Sequence, residues 1–275
     1  MTFVCEVGES RDILDWYKVT CGMERFLVSH EEDPDVGTVM EDVGMKLSAG
    51  SWVTEWLCRE EGVAWTEDED DVSNFKLVLA EPLPGHEDSH VNKFLRDNGG
   101  AGVQHIGLST RDISHTMRVL NTKGAEFRRP PPTYYSLQDK QEEIRSLGQD
   151  METFKQFGIL IDKEQTDGEE EESQQFILQI FSFPVFDADT FFLEIIQRQN
   201  SRGFGGGNIR ALAHSIIEFK RQREKFLSAK MTNSDLAVPG RRSTVHHCNQ
   251  MFLISNDRNH YSSLDDFYGS KKYHR

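Results

Sequence analysis

The segment Thr190-Phe-Phe-Leu-Glu-Ile-Ile-Gln-Arg198 reads as a buried β-strand, and Gly203-Phe-Gly-Gly-Gly-Asn208 follows it closely. The strand carries one carboxylate, Glu194, among Phe191, Phe192, Leu193, Ile195 and Ile196. A lone charge in such company is costly unless something cationic neutralises it. An Arg or Lys partner, a proton or a metal ion would each serve, and which one holds decides the chemistry. Strand alternation places Phe192, Glu194 and Ile196 on one face and Phe191, Leu193 and Ile195 on the other.

In the preceding predicted strand, Ile177, Gln179 and Phe181 share a face. With Gln179 and Phe181 turned toward Glu194, an amide, an aromatic ring and a carboxylate form a patch suited to a small aromatic, oxygen-bearing ligand. The other singular residue is His105, in mid-strand between Gln104 and Ile106. Taken singly, His105 reads as a satisfied core histidine and Glu194 as half of an ion pair. Taken together, one His and one Glu on central strands are also two arms of a 2-His-1-carboxylate facial triad. Such a triad binds Fe(II) on one face and leaves positions open for substrate and O2. Spacing alone does not choose among these readings.

The remaining chain shows one pattern written twice. Met1 to Val7 predicts a strand, and Ser10 is placed to cap a helix that ends at Gly22. Phe26 to Ser29, Gly44 to Ala49 and Phe75 to Ala80 predict strands, with an acidic loop carrying Trp65 between Glu60 and Asp71. Ser89 is placed to cap a short helix that stops at Gly99 and Gly100. The pattern restarts with a strand from Val103 to Ser109 and a helix capped by Asp112. A short strand, Glu126 to Arg128, is halted by three prolines from Pro130. Tyr134 and Tyr135 open a polar helical insert running to about Gln156, and the strands Gly158 to Asp162, Phe176 to Phe183 and that of Glu194 complete the second unit. Asn208 is placed to cap a long helix reaching about Lys230. The acidic run Asp167 to Glu172 reads as a solvated loop. From Thr232 the periodicity disappears, so His246, His247 and Cys248 lie in a tail expected to be disordered, which offers a metal no fixed geometry. The expected organisation is α+β, with paired βαβββ modules at 1–98 and 99–231, the second ending in the long helix, and a tail at 232–275.

Composition narrows the function further. The chain has 275 residues, 18 of them Phe, and 31 basic against 46 acidic side chains, a net charge of −15. That is enough material for a cavity-bearing core, and the charge argues against nucleic acid or an anionic membrane as a partner. The four cysteines are scattered with no CxxC pair, which favours a reducing, intracellular compartment. No apolar run reaches the roughly 18 residues of a membrane span.

Six stretches resemble a known family in the same order: Gly99-Gly-Ala-Gly-Val-Gln-His-Ile106, Pro131-Pro-Thr-Tyr-Tyr135, Gly158-Ile-Leu-Ile-Asp162, Leu178-Gln-Ile-Phe181, Phe192-Leu-Glu-Ile-Ile-Gln-Arg198 and Gly203-Phe-Gly-Gly-Gly-Asn208. They are similar to motifs of the 4-hydroxyphenylpyruvate dioxygenases, and the likeness covers about residues 1 to 225. It implies a vicinal-oxygen-chelate fold, paired modules forming a half-open barrel, and a nonhaem Fe(II) site. It also implies an enzyme of aromatic amino acid metabolism. That enzyme would take an aryl-pyruvate and O2 and couple oxidative decarboxylation to ring or side-chain hydroxylation. Carried over by position, His105 and Glu194 would be iron ligands. Gln104, Gln179, Phe181, Phe192, Phe204 and Asn208 would line the substrate pocket, with the final helix closing over it. The compartment, mitochondrion or cytosol, is left open, and a homodimer is one of the states the sequence allows.

Three departures qualify the resemblance. The family's other iron-binding histidine is expected immediately before Met1-Thr-Phe, so this chain looks truncated at its N-terminus. Ala80 stands where the dioxygenases carry a substrate-binding Asn, and His90 where they carry a Gln. Loss of two polar contacts of this kind can redirect an oxygenation toward the side chain, because buried hydrogen bonds set discrimination. The competing expectation is an inactive form or binding module of the same fold, one iron ligand short.

Overall fold

A computed structural model describes residues 1–27, 32–51, 75–163, 175–186, 188–201 and 203–234, with 226–234 described by backbone alone. The acidic segments 60–71 and 167–172, most of the C-terminal tail, and with it His246, His247 and Cys248, lie outside the described residues.

The chain runs β1 (Thr2–Val4), α1 (Ser10–Cys21), β2 (Glu24–Phe26), β3 (Thr38–Met40), β4 (Met45–Ser51), β5 (Lys76–Pro82) and α2 (His90–Asn98). It continues with β6 (Gly102–Ser109), α3 (Ile113–Thr122), a 3-10 turn (Pro132–Ser136), α4 (Gln138–Ser146), α5 (Met151–Phe157), β7 (Leu160–Lys163), β8 (Phe176–Phe181), β9 (Phe192–Gln199) and α6 (Gly206–Ser234). All nine strands join one mixed sheet in the order β2-β4-β5-β1-β6-β9-β8-β7, with β3 on β4. The sheet curls into a half-barrel. Each half has the same plan, a parallel pair (β1 with β5, β6 with β9) extended by antiparallel neighbours. The antiparallel β1/β6 pair joins them.

Alternation along β5 divides the first half's core. Leu77 and Leu79 pack with Cys5 and Met23 beneath α1, whose Ile13, Leu14 and Tyr17 cover them. Val78 and Ala80 point the other way and join Val4, Met45, Leu47 and Ala49, together with Val91, Phe94 and Leu95 of α2. Thr2 pairs with Val78 on one side and His105 on the other, so this second face continues into the face that bears His105. The second half packs around Tyr134, Ile144, Phe154, Leu178, Ile180 and Leu212.

Several local expectations change. Ser10 is the first residue of α1 and does not cap it; Glu81 does, accepting from Gly8 N at 2.8 Å and Ser10 N at 3.4 Å. Ser89 and Asp112 cap α2 and α3 as expected, through Asn92 N and His115 N. Glu126 to Arg128 is no strand but a single bridge from Phe127 to Ser182, since the following prolines allow the ladder no further donors. The helical insert breaks into the 3-10 turn, α4 and α5, with Gly148 at φ 62° between α4 and α5 and Gly158 at φ 77° ending α5. Asn208 lies inside the first turn of α6, and Asp162 Oδ2 takes the terminal N–H of Gly207 at 2.8 Å instead. No helix among the described residues is long and apolar enough to cross a membrane.

Candidate metal centre

Three adjacent strands build the site. In the parallel β6/β9 ladder His105 pairs with Phe192 and Gly107 with Glu194; in the β8/β9 ladder Phe181 pairs with Glu194 and Gln179 with Ile196. Residues in register or two apart share a face, so His105, Gln179, Phe181, Phe192 and Glu194 project together. His105 Nε2 stands 3.6 Å from Glu194 Oε2. The imidazole stacks on Phe192, with centroids 4.8 Å apart and planes at 20°, and meets Phe181 edge-on at 6.3 Å.

A bulge aims the histidine. Thr2 pairs with His105 and Phe3 with Val103, leaving Gln104 as an extra residue in β6. Released from strict alternation, the buried Gln104 brings its Oε1 to within 3.2 Å of His105 Nδ1. An amide oxygen can only accept, so the proton sits on Nδ1 and the Nε2 lone pair faces Glu194.

The carboxylate is held from its other side. Gln179 Nε2 donates to Glu194 Oε1 at 2.6 Å and to the Phe204 carbonyl at 3.2 Å. Asn208 Nδ2 donates to Gln179 Oε1 at 2.7 Å, and Tyr134 donates its hydroxyl proton to Asn208 Oδ1 at 2.7 Å. Gly205 makes this approach possible: at φ 76° it adopts a conformation other residues resist, and a Cβ there would collide with the Gln179 amide. The side chain of Phe204 turns to the first half, its ring 5.5 Å from that of Phe26.

Burial sets the protonation of the pair. The His105 pKa falls to about 3, driven by burial and, more weakly, by the Met1 ammonium and His90. That of Glu194 rises to about 7, again through burial, against the smaller opposing pull of the Gln179 hydrogen bond, Arg198 and the Met1 ammonium. Near pH 7 the two therefore do not form an ion pair. A neutral imidazole facing a carboxyl group close to ionising is a donor set suited to a divalent cation. Metal bonds of roughly 2.1 Å put two ligand atoms at right angles roughly 3 Å apart. The 3.6 Å separation therefore lets both atoms reach one ion after a small inward shift. Among the described residues no group of three or more His, Cys, Asp or Glu converges as a metal site, so the pair supplies two positions.

Of the eight residues singled out in the sequence, the structure brings His105, Glu194, Gln104, Gln179, Phe181, Phe192 and Asn208 together and adds the carbonyl of Phe204. Ala80 lies in the aliphatic cluster of the first half, and His90 is buried at the start of α2 with its pKa lowered to about 4 by burial. Sequence reasoning assigns no site role to Tyr134 or Arg128. The Arg128 guanidinium lies 5.5 Å over Phe192 and 3.6 Å from Asp189, which also binds Lys93 of α2 at 3.1 Å. Glu126-Phe-Arg128, read as a short strand, carries no signal for that placement.

Comparison with known proteins adds context to this geometry. The chain is 36% identical over 220 residues to the 4-hydroxyphenylpyruvate dioxygenase-like protein of Homo sapiens, covering 79% of this chain and 54% of that protein. It is 36% identical over 164 residues to 4-hydroxyphenylpyruvate dioxygenase of Sus scrofa, covering 59% of this chain and 38% of that one. A mutant of 4-hydroxymandelate synthase from Streptomyces coelicolor shares the fold with a TM-score of 0.52 at 25% identity, over 80% of this chain and 52% of that one. The vicinal-oxygen-chelate fold expected from the sequence is the fold observed. The chain spans about half the length of these curated relatives. No protein-family model matches it.

Proposed function

We propose, from a chain homologous over 79% of its length to a protein named 4-hydroxyphenylpyruvate dioxygenase-like, that it carries the iron half-site of a nonhaem Fe(II)-dependent dioxygenase. Its substrate would be 4-hydroxyphenylpyruvate or a related aryl-pyruvate. The observation that carries the reading is His105 Nε2 facing Glu194 Oε2 at 3.6 Å, each fixed from behind by a glutamine amide. His105 and Glu194 would hold the ion, which would supply the activation of O2 for oxidative decarboxylation of the keto acid and hydroxylation of its ring or side chain. The other residues act on geometry. Phe181 and Phe192 cross at 87° with centroids 5.9 Å apart and offer an aryl group an apolar corner. Gln104 and Gln179, expected from sequence as substrate contacts, hold the ligand atoms in place. The two modules would meet at the β1/β6 pair, consistent with units at 1–98 and 99–231.

One observation favours a second reading. Two donors, not three, converge among the described residues, which suits a non-catalytic binding form. Each missing ligand or supporting contact weakens a metal site by an order of magnitude or more. Anaerobic Fe(II) titration followed by O2 uptake with 4-hydroxyphenylpyruvate separates the two readings. The catalytic reading expects stoichiometric iron and turnover. If the chain binds iron but consumes no O2, the catalytic reading fails and the binding form stands; if it does not bind iron, both readings fail.

A further inference from the structure

We propose that Tyr134 is a positioning residue for the Glu194 carboxylate, acting through Asn208 and Gln179. The proposal takes its purpose from the iron-site reading but not its geometry.

The direction of each hydrogen bond is set from the Phe204 end of the chain of groups. At one end the Phe204 carbonyl can only accept, so the Gln179 amide must turn Nε2 toward it, and the same nitrogen then donates to Glu194 Oε1. Gln179 Oε1 is thereby turned to Asn208, which must answer with Nδ2, leaving Asn208 Oδ1 to face Tyr134. At the other end the Tyr134 oxygen accepts from the backbone N–H of Ile161 at 3.0 Å, and two acceptors compete for its proton, the Ile161 carbonyl at 3.1 Å and Asn208 Oδ1 at 2.7 Å. Asn208 Oδ1 is the shorter contact, so the proton goes to it. All donors therefore point toward the carboxylate, and a series aligned in one sense strengthens each of its bonds.

The consequence for Glu194 is asymmetric. Oε1 is held by the amide, and Oε2 alone is presented to His105. Tyr134 is buried, and its ring packs edge-on against Tyr135 at 5.1 Å, so phenylalanine would fill the same volume. Only the hydroxyl separates the two; it heads this series and also bonds the backbone of Ile161. Without it Asn208 Oδ1 loses its donor, the Asn208 amide can turn over, and Gln179 then loses the contact that holds its own orientation.

The test uses metal-free, 15N-labelled full-length chain and Co(II) as the probe ion. The side-chain amide signals of Gln179 and Asn208 are identified by their disappearance in Gln179→Ala and Asn208→Ala. In Tyr134→Phe both pairs of signals should move toward free-amide positions while backbone signals away from the site stay in place. The Co(II) dissociation constant should rise about tenfold or more, as for other losses behind a metal ligand. Unmoved Gln179 signals overturn the series, whether or not Co(II) binds. Moved signals with an unchanged dissociation constant overturn the positioning role. Should Tyr134→Phe not fold, Asn208→Ala interrupts the same series at its middle and is read by the Gln179 signals and Co(II) affinity. A wild-type chain that takes up no Co(II) defeats the iron-site reading and the positioning role with it, while the amide shifts still report separately on the series.

Discussion

The two halves of the sheet share a pairing plan but line it with opposite chemistry. In the first, the β4/β5 ladder pairs Leu47 with Ala80 and Ala49 with Val78, all in one aliphatic cluster. In the second, the β8/β9 ladder pairs Phe181 with Glu194 and Gln179 with Ile196, and the neighbouring strand adds His105. The frame stands equally well with aliphatic residues, so nothing in the fold requires a buried carboxylate. Glu194 costs the protein stability, as the rise of its pKa to about 7 indicates, and that cost is reasonable only if a ligand later offsets it.

The largest effect expected from breaking this contrast is at Glu194 itself. Glu194→Gln should weaken Co(II) binding by roughly 100-fold or more and abolish turnover, yet leave the metal-free chain at least as stable, since a neutral amide replaces a buried acid. Retention of Co(II) within about tenfold of wild type, measured by anaerobic titration, would sink the metal assignment. Next comes Gly205→Ala, which forces a side chain into left-handed backbone and against the Gln179 amide. It should cost about 2–4 kcal/mol in chemical denaturation, and an unchanged midpoint would show that the contact is dispensable.

The contrast can also be attacked from the aliphatic side. Ala80→Asn places an amide in the cluster of Leu47, Val78 and Val4 and should cost about 1–3 kcal/mol by lack of partners. A stable variant would mean that the first half tolerates polar lining as well as the second. The smallest effect concerns pH. His90 and His105, lowered to about 4 and 3, bind fewer protons folded than unfolded, so their contributions are present above pH 6.5 and are lost as pH falls. Glu194, raised to about 7, runs the other way over the same range. Between pH 6.5 and 5.5 each group changes stability by about 1 kcal/mol, leaving a net loss of about that size. His90→Gln should flatten the profile there, and a slope equal to wild type would show His90 to be more accessible than its burial indicates.

How much of this was legible in sequence depends on the range of the interaction. His105 and Glu194 stood out because alternation within one strand reveals a polar residue among apolar ones, and strand faces follow from local spacing. Phe181 and Phe192 follow from the same periodicity, whereas Phe204, outside any strand, came from the resemblance alone. Asn208 was legible as a helix-start residue but not in its task, since Asp162 takes the capping role from another strand. Glu81 likewise displaces Ser10 as the cap of α1 across the sheet. The Gln104 bulge depends on a partner strand, β1, and Tyr134 on three residues far along the chain. Local propensity carries no information about such contacts.

The parallel pairing of β6 with β9 has a consequence for how the protein assembles. His105 and Glu194 become neighbours only after the chain between them, with α3, α4, α5, β7 and β8, has folded back to close a long loop. Loop closure of that kind comes late and slowly. An ion that needs both side chains has nothing to grip in the early, open chain and cannot speed folding. It would act on the finished barrel, prolonging its lifetime by slowing the step in which the two strands part.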